Sequence, residues 1–507
     1  MRLSVALRRS PPVTFVAFVL SGCDGITPSA RLRQSVNLPV PLSTARTTDP
    51  ERHTRTSRGE RQTLTARSLI SIAFNFQPDI KSSFERFKSE EARYDFFYVS
   101  RDSLTPQLRT SNTFDESRDR EDVTRERDHT VELGVEKRFF NTSELDLGVG
   151  YETAVEGDIG NHPFVSARLR YPLWASREKL ERTSEDIFRR NELNDAQLAY
   201  IQQVRSRLQD VLFRFYNVVK QQRDLGFARQ WLRDLESLLT RIDAVASRDV
   251  TNDRRRVQAE QERVGSTLRN LEGRHEIDVQ RLKAACGLPF YTPVEFVDDQ
   301  FNPFQKDEHE ELFHLSLQSD PEIATLRNAL RNAEVQLDLA RRGRWDIALT
   351  LDGKSNIEGR GAAGGESDWS VAAGFEVSAV DPRVTDSLTR QAHANIARFT
   401  QAIAARENAI FVDTLEPLIR IETIGASWVA LTNNLPRYVE DYENGVSEYV
   451  AGTLNIDDLL SRRDRLSEQQ SQIADHAFLI GANVAELCAA TGRFFNLLAE
   501  DGLPTGP

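Results

Sequence analysis

The length of one helical pattern constrains this chain most. Ile201, Val204, Leu208, Val211, Phe215 and Val218 are spaced alternately three and four residues apart. After one stutter, Leu225, Ala228, Leu232, Leu235, Leu239 and Ile242 repeat that spacing. This alternation is a coiled-coil seam, a narrow apolar stripe that meets a partner helix. Read from Ala175 to Ala246, it predicts a helix about 108 Å long at 1.5 Å per residue. No compact globule needs such a helix. Arg248 to Asp253 reads as a turn, and a returning helix runs to about Cys286, where Gly287-Leu288-Pro289 stops it.

Composition narrows the class. With 507 residues the chain can hold two or three ordinary domains or one long composite one. Charged residues at 28% and a mean hydropathy of −0.48 exclude a bundle of membrane helices. Aromatic residues at 8%, with abundant Leu, Ile and Val, exclude wholesale disorder. The 26 Gly and 19 Pro are too few for a low-complexity chain, and three Cys make no disulfide framework.

The N-terminus bears on compartment. Arg2, Arg8 and Arg9 form a basic region, Val13 to Leu20 a short apolar one, and Leu20-Ser21-Gly22-Cys23 follows. The apolar run is too short to span a bilayer as a helix. The pattern resembles a bacterial lipoprotein signal: residues 1–22 are removed and Cys23 carries lipid. Asp24 resembles an inner-membrane retention signal, which would oppose sorting to the outer membrane. Cleavage removes three Arg and no acid, taking the formal charge from −12 to −15. So acidic a chain is poorly suited to nucleic acid. Residues 23–65 lack periodicity and read as a lipidated, flexible tether.

From about Leu69 order is expected, with a helix over 79–100 after Pro78. The period then switches to two. Val131, Leu133 and Val135 alternate with Glu132 and Glu136, and Leu145, Leu147, Val149 and Tyr151 with Asp146 and Gly148. Val165, Ala167 and Leu169 alternate with Arg168 and Arg170. These are strands with one apolar face. The second half repeats the first. Trp345, Ile347, Leu349 and Leu351 form one strand face, and Trp369, Val371, Ala373, Phe375 and Val377 another. Long helices follow over roughly 383–447 and 455–497, the last with Leu459, Leu466, Ile473, Ile480 and Leu487 at every seventh residue. Pro417 and Pro436 should kink or interrupt the first of these. Val245-Ala246 matches Val450-Ala451, Asp253 matches Asp458, and Gly287 matches Gly492, all 205 positions apart. Pro78 and Pro321 are 243 apart, so the first strand region carries about 38 additional residues. The hairpin 131–139 with 144–152 is the candidate insertion.

Several motifs carry a family resemblance. They are Pro321-Glu322-Ile323 with Ala333-Glu334 and Ala340-Arg341, Tyr171-Pro172-Leu173-Trp174, and Tyr449-Val450-Ala451-Gly452 before Asp458-Leu459-Leu460. With Leu487 and Gly492 they resemble, in this order, the TolC-like outer-membrane efflux proteins over about 66–497. The implied fold is mainly α with β: duplicated long coiled-coil hairpins plus strands contributing to a shared trimeric outer-membrane β-barrel. Four strands per chain would give about twelve in the trimer. The implied organisation is a first repeat over 66–290, an equatorial connection over 291–317, a second repeat over 318–497 and a tail over 498–507. Open strand edges cannot sit in lipid alone, which also argues for several chains sharing one barrel. Trp345 and Trp369 suit an interfacial girdle.

Chemical motifs are weak. Gly359 to Gly364 matches a dinucleotide pattern, but a strand follows it where a helix is needed. His309-Glu310 and His314 are one residue too far apart for a zinc-protease helix. Cys286 and Cys488 have no nearby metal-ligand partners in sequence. No enzyme, metal or cofactor is implied. The hairpin tips are the candidate site. Arg248, Asp249, Asp253, Asp457, Asp458, Arg462 and Arg463 are expected at a periplasmic mouth, and Ser247, Tyr449 and Gly452 at tips that dock an adaptor. Asp458 is expected to face a lumen or a neighbouring helix, and Asp457 to cap or pair locally. The resemblance implies an exit duct of an efflux pump or type I secretion system, working with a periplasmic adaptor and an inner-membrane transporter. The competing class is a periplasm-spanning structural lipoprotein that does not conduct.

Overall fold

In the computed structural model, the described residues are 62–102, 104–118, 123–139, 143–154, 161–173, 177–244, 251–298, 303–304, 309–356 and 369–500. The signal segment, Cys23, Trp174, Ser247, Arg248, Asp249 and the Gly359–Gly364 loop lie outside them. In chain order the elements are β1 (Gln62–Leu64), α1 (Ala66–Phe76), α2 (Pro78–Asp102), β2 (Leu104–Arg118), β3 (Val123–Arg138), β4 (Glu144–Ala154) and β5 (Asn161–Pro172). Then come α3 (Arg177–Ala244), α4 (Thr251–Ala285), β6 (Val294–Phe296), α5 (His309–Ser319), α6 (Pro321–Arg342), β7 (Trp345–Asn356) and β8 (Trp369–Ala379). The chain ends with α7 (Pro382–Val450), α8 (Ile456–Thr491) and α9 (Arg493–Glu500).

The duplicated plan is present. Each half runs from a helix through strands into a long helical hairpin. Pro78 and Pro321 open their helices at the first position, where the missing N–H costs nothing. The 68-residue α3 and the 69-residue α7 match the two long predicted helices within a few residues. Pro417 and Pro436 do not interrupt α7. Each removes one donor, and a helix already nucleated on both sides tolerates that loss. The last helix breaks earlier than expected: Gly492 takes φ +69 and α9 starts afresh.

The chain divides into two units, one built from residues 87–196 and 325–402 and the other from 62–86, 197–324 and 403–500. The first contains a six-stranded antiparallel sheet in the order β2-β3-β4-β5-β7-β8. Four of these strands come from the first half and two from the second, where the resemblance implies four membrane strands per chain. β5 leads towards α3 as β8 leads towards α7, so β4–β5 is the counterpart of β7–β8. The inserted hairpin is therefore β2–β3, ahead of the one expected. β2 escapes a periodicity search because Pro106 and a run of polar residues dilute its apolar face. An outer strand of the chain's sheet can accommodate a proline.

In the second unit the seam is the core. Ile201, Val204, Leu208, Val211, Phe215 and Val218 are all buried. Gly481 lets α8 approach α3 closely, since a Cβ there would collide with the Tyr216 ring. Phe213 and Phe478 stack edge-on beside it at 5.3 Å. Residues 62–65, expected to belong to the tether, are instead part of the folded unit. Gln62–Leu64 pairs in parallel with Val294–Phe296, and Thr65 caps α1 through a reciprocal contact with Ser68.

Candidate functional site

Two arrangements carry functional information, one in each unit. In the first, strand alternation gives the sheet two chemically opposite faces. Along one face run Leu108, Leu133, Val149 and Val165, each directly opposite the next across four strands. Tyr171, Leu349 and Phe375 form another such row, as do Ile347 with Val377 and Leu351 with Ala373. These side chains are not packed away: Phe375 is 73% exposed, Leu133 67% and Leu108 66%. Trp345, Trp369, Val371 and Val377 are exposed as well, while Ile347, Leu349 and Leu351 are half-buried. Trp345 sits where α6 joins the sheet, and Trp369 lies opposite Ser355 at the far end.

The other face is polar and cross-linked by charge. Glu136, Asp146, Arg168 and Asp352 form one row across β3, β4, β5 and β7. Arg168 pairs with Asp352. Arg109 reaches Asp146 at 3.5 Å, Gln107 donates to Glu136, and Ser166 to Glu132. Lys354 pairs with Glu152 and Arg170 with Glu376. Interstrand ion pairs of this kind fix side-chain positions on a wetted face rather than adding much stability.

In the second unit the two helical hairpins meet at their tips. Trp231, Leu235, Leu238 and Ile242 of α3, Val257 and Val264 of α4, Tyr449 of α7, and Ile456 and Leu459 of α8 form one apolar cluster. Polar ties surround it. Tyr449 donates to Asp253 at 2.9 Å. Gly452 turns the second hairpin with φ +80, a conformation that disfavours any residue with a Cβ. Arg462 reaches back to Glu448 at 3.0 Å and Asp441 at 3.3 Å, tying α8 to α7.

Arg463 departs from its expected place at the mouth. It is 1% exposed, lodged among the helices. Its guanidinium lies 4.8 Å from the Trp231 ring centre and 5.5 Å from that of Tyr442, with Asp234 at 3.3 Å. Burial pulls Arg463 below the ordinary arginine range, against the opposing pull of Asp234. Burial likewise raises Asp234, and it pushes the Tyr442 phenol up to about 12.

Asp458, expected towards a lumen or a neighbouring helix, is tied to the cap of its own helix, and Asp457, expected to cap or pair locally, reaches a neighbouring helix. Asn455 is the N-cap of α8: its side chain accepts from the Asp458 N–H at 2.8 Å, and its amide donates to the Asp458 carboxylate at 2.7 Å. Asp458 at the third helical position thus completes a local cap. Asp457, one residue earlier and about 100° away around the helix, forms an ion pair with Arg256 of α4. Trp231, Asp234, Tyr442 and Arg256 were not singled out by sequence. Periodicity within one helix does not say which residues of another helix face it.

The dismissed motifs stay apart from these arrangements. His309 lies 3.4 Å from Glu422, and His314 4.0 Å from Glu310. Among the described residues no cluster of His, Cys, Asp and Glu could hold a metal ion. Cys286 and Cys488 are buried, and burial raises both thiols, Cys286 to about 12.

No family model matches the sequence, and no curated protein matches it. Solved structures do. The outer-membrane channel OprN aligns over 84% of this chain and 89% of its own, at 13% identity and a TM-score of 0.63. CusC, described as forming a transmembrane channel, aligns over 84% and 91% at 14% identity with a TM-score of 0.62. The outer membrane protein VceC from Vibrio cholerae aligns over 84% and 96% at 11% identity, also with a TM-score of 0.62. Over most of its length, then, this chain has the TolC-like fold of the solved outer-membrane channels.

Proposed function

We propose that the chain is a protomer of a trimeric outer-membrane exit duct, anchored by lipid at Cys23. In this reading it serves an efflux pump or type I secretion system and docks through an adaptor onto an inner-membrane transporter. The observation that carries the reading is the two-faced sheet. An exposed apolar face spanning six strands is untenable in water and suited to hydrocarbon, while the opposite charged face suits a wet lumen. Trp345 and the Ser355 partner of Trp369 are ten residues apart on β7. That is about 34 Å along a strand, or roughly 25 Å of height at an outer-membrane barrel's tilt, the thickness of its apolar band. The two indoles then mark the two interfaces.

The tips supply the second part of the reading. The Tyr449–Asp253, Arg256–Asp457 and Arg462–Glu448 contacts hold the hairpin ends together within a protomer. Docking of an adaptor there would work against these ties. The duct performs no reaction and draws its energy from the transporter. Reconstitution into planar bilayers tests the proposal: purified protein should give discrete conductance steps. Inserted trimers that never conduct would support the structural-lipoprotein reading instead. Mass spectrometry of the mature N-terminus should find diacylglycerol on Cys23.

A further inference from the structure

The unpaired edges of the sheet are its first and last strands, β2 and β8. Every neighbouring pair between them is antiparallel, so the two edges run in opposite directions. An edge of one direction is matched by an edge of the other, and β2 is long enough to cover all of β8. Neither edge can remain open in hydrocarbon. Single-chain outer-membrane barrels begin at eight strands, so a six-stranded sheet closes with other sheets rather than on itself.

β2 and β3 are continuous with the rest of the wall. β3 pairs with β4 without a break from Asp128 to Arg138. The apolar face passes from Val149 through Leu133 to Leu108 without changing side. On the other face Arg109 of β2 reaches Asp146 of β4 across β3. Closing a barrel at β4 instead would require this whole ladder to part, leaving its backbone groups unpaired at membrane depth.

We infer that all six strands belong to the shared wall, with β2 of each copy pairing to β8 of the next. This inference rests on the trimeric reading above. Three copies of a six-stranded sheet make eighteen strands. Because barrel diameter grows roughly in proportion to strand number, the wall is about 1.5 times wider than one of twelve strands. The partner that fits each edge is therefore a second copy of this chain.

Disulfide trapping in the full-length protein in its native membrane tests the pairing. Gln107→Cys or Ser111→Cys in β2 is combined with Ala372→Cys or Glu376→Cys in β8, all on the polar face. Within one chain these strands are five interstrand steps apart, about 24 Å along the sheet, far beyond the reach of a disulfide. Any β2–β8 bond must therefore join two copies. Native Cys286 and Cys488 are buried and do not compete. Mild oxidation should yield covalent dimers and trimers from at least one pair. Asp146→Cys in β4 with the same β8 partners should not cross-link. Covalent trimers from the β4–β8 pairs alone would overturn the eighteen-strand wall while leaving the duct intact. A membrane protein that is monomeric and never cross-links would overturn both. If the cysteine variants fail to assemble, a direct strand count by cryo-electron microscopy of the unmodified trimer decides: eighteen supports the inference and twelve overturns it.

Discussion

Arg463 shows how a charge can be housed inside a helical core. Two aromatic faces and one carboxylate replace its water. Removing one partner of a buried ion pair strands the other. Arg463→Met should therefore lower stability by about 2–3 kcal/mol, measured by thermal or denaturant unfolding. Pairing it with Asp234→Leu should recover most of that loss, because no charge is then left buried. Sequence reading placed Arg463 at the mouth, although its spacing, four residues after Leu459 and three before Leu466, puts it on the same seam. Its partner was not legible, because Asp234 lies in the other repeat and no spacing connects them. Asp224 offers a pH test on the same helix as Asp234. Burial lifts it to about 6, with Lys220 opposing and Asp475 adding to the rise. Since this lies above the unfolded value of 3.8, its contribution to stability is complete below that pH and fades as pH rises through about 6. Asp224→Asn should raise Tm at pH 7.5 and change it little at pH 4.

At the scale of elements, the long helices were the most legible part of the fold. Their seams repeat over many turns: the structure buries the whole first seam from Ile201 to Val218, and in the second it buries Leu225, Leu235 and Ile242 while Ala228, Leu232 and Leu239 are half-buried. The strands of the second half were equally plain, because Trp345–Leu351 and Trp369–Val377 alternate cleanly. β2 was not legible. Leu104, Pro106 and Leu108 share a face with few other apolar residues, and the alternation fades into polar sequence. The sheet's face asymmetry gives a direct prediction. Phe375→Asp should sharply reduce insertion into liposomes, since a carboxylate on the lipid-type face must be protonated or drawn to an interface. Ala372→Asp, on the charged face of the same strand, should insert almost as the parent does. Heat-resistant folded protein on a gel measures both.

For the whole molecule, the 205-residue offset revealed the duplication, and the longer Pro78–Pro321 spacing revealed that the first half carries extra chain. The structure assigns that surplus to β2–β3, spanning Leu104–Arg138. The length of the insertion was thus readable where its position was not, because a hairpin slipped along a series of similar strands leaves the same total. The need for several chains to share a barrel could be argued from the open edges of strands found by periodicity, but which edges meet was not readable, because periodicity does not give the order of strands in a sheet. Solubilised in mild detergent, the protein should have three times the mass of one protomer by light scattering; a stable monomer that still inserts into bilayers would contradict the duct. The hairpin also suggests how such a wall can change calibre. A hairpin leaves the sheet on the side where it entered, so adding one reverses no later strand and moves no helix to the opposite rim. Width is then a counted quantity, changed by whole hairpins and multiplied by the symmetry of the ring, and the segment 104–142 becomes a portable unit of bore.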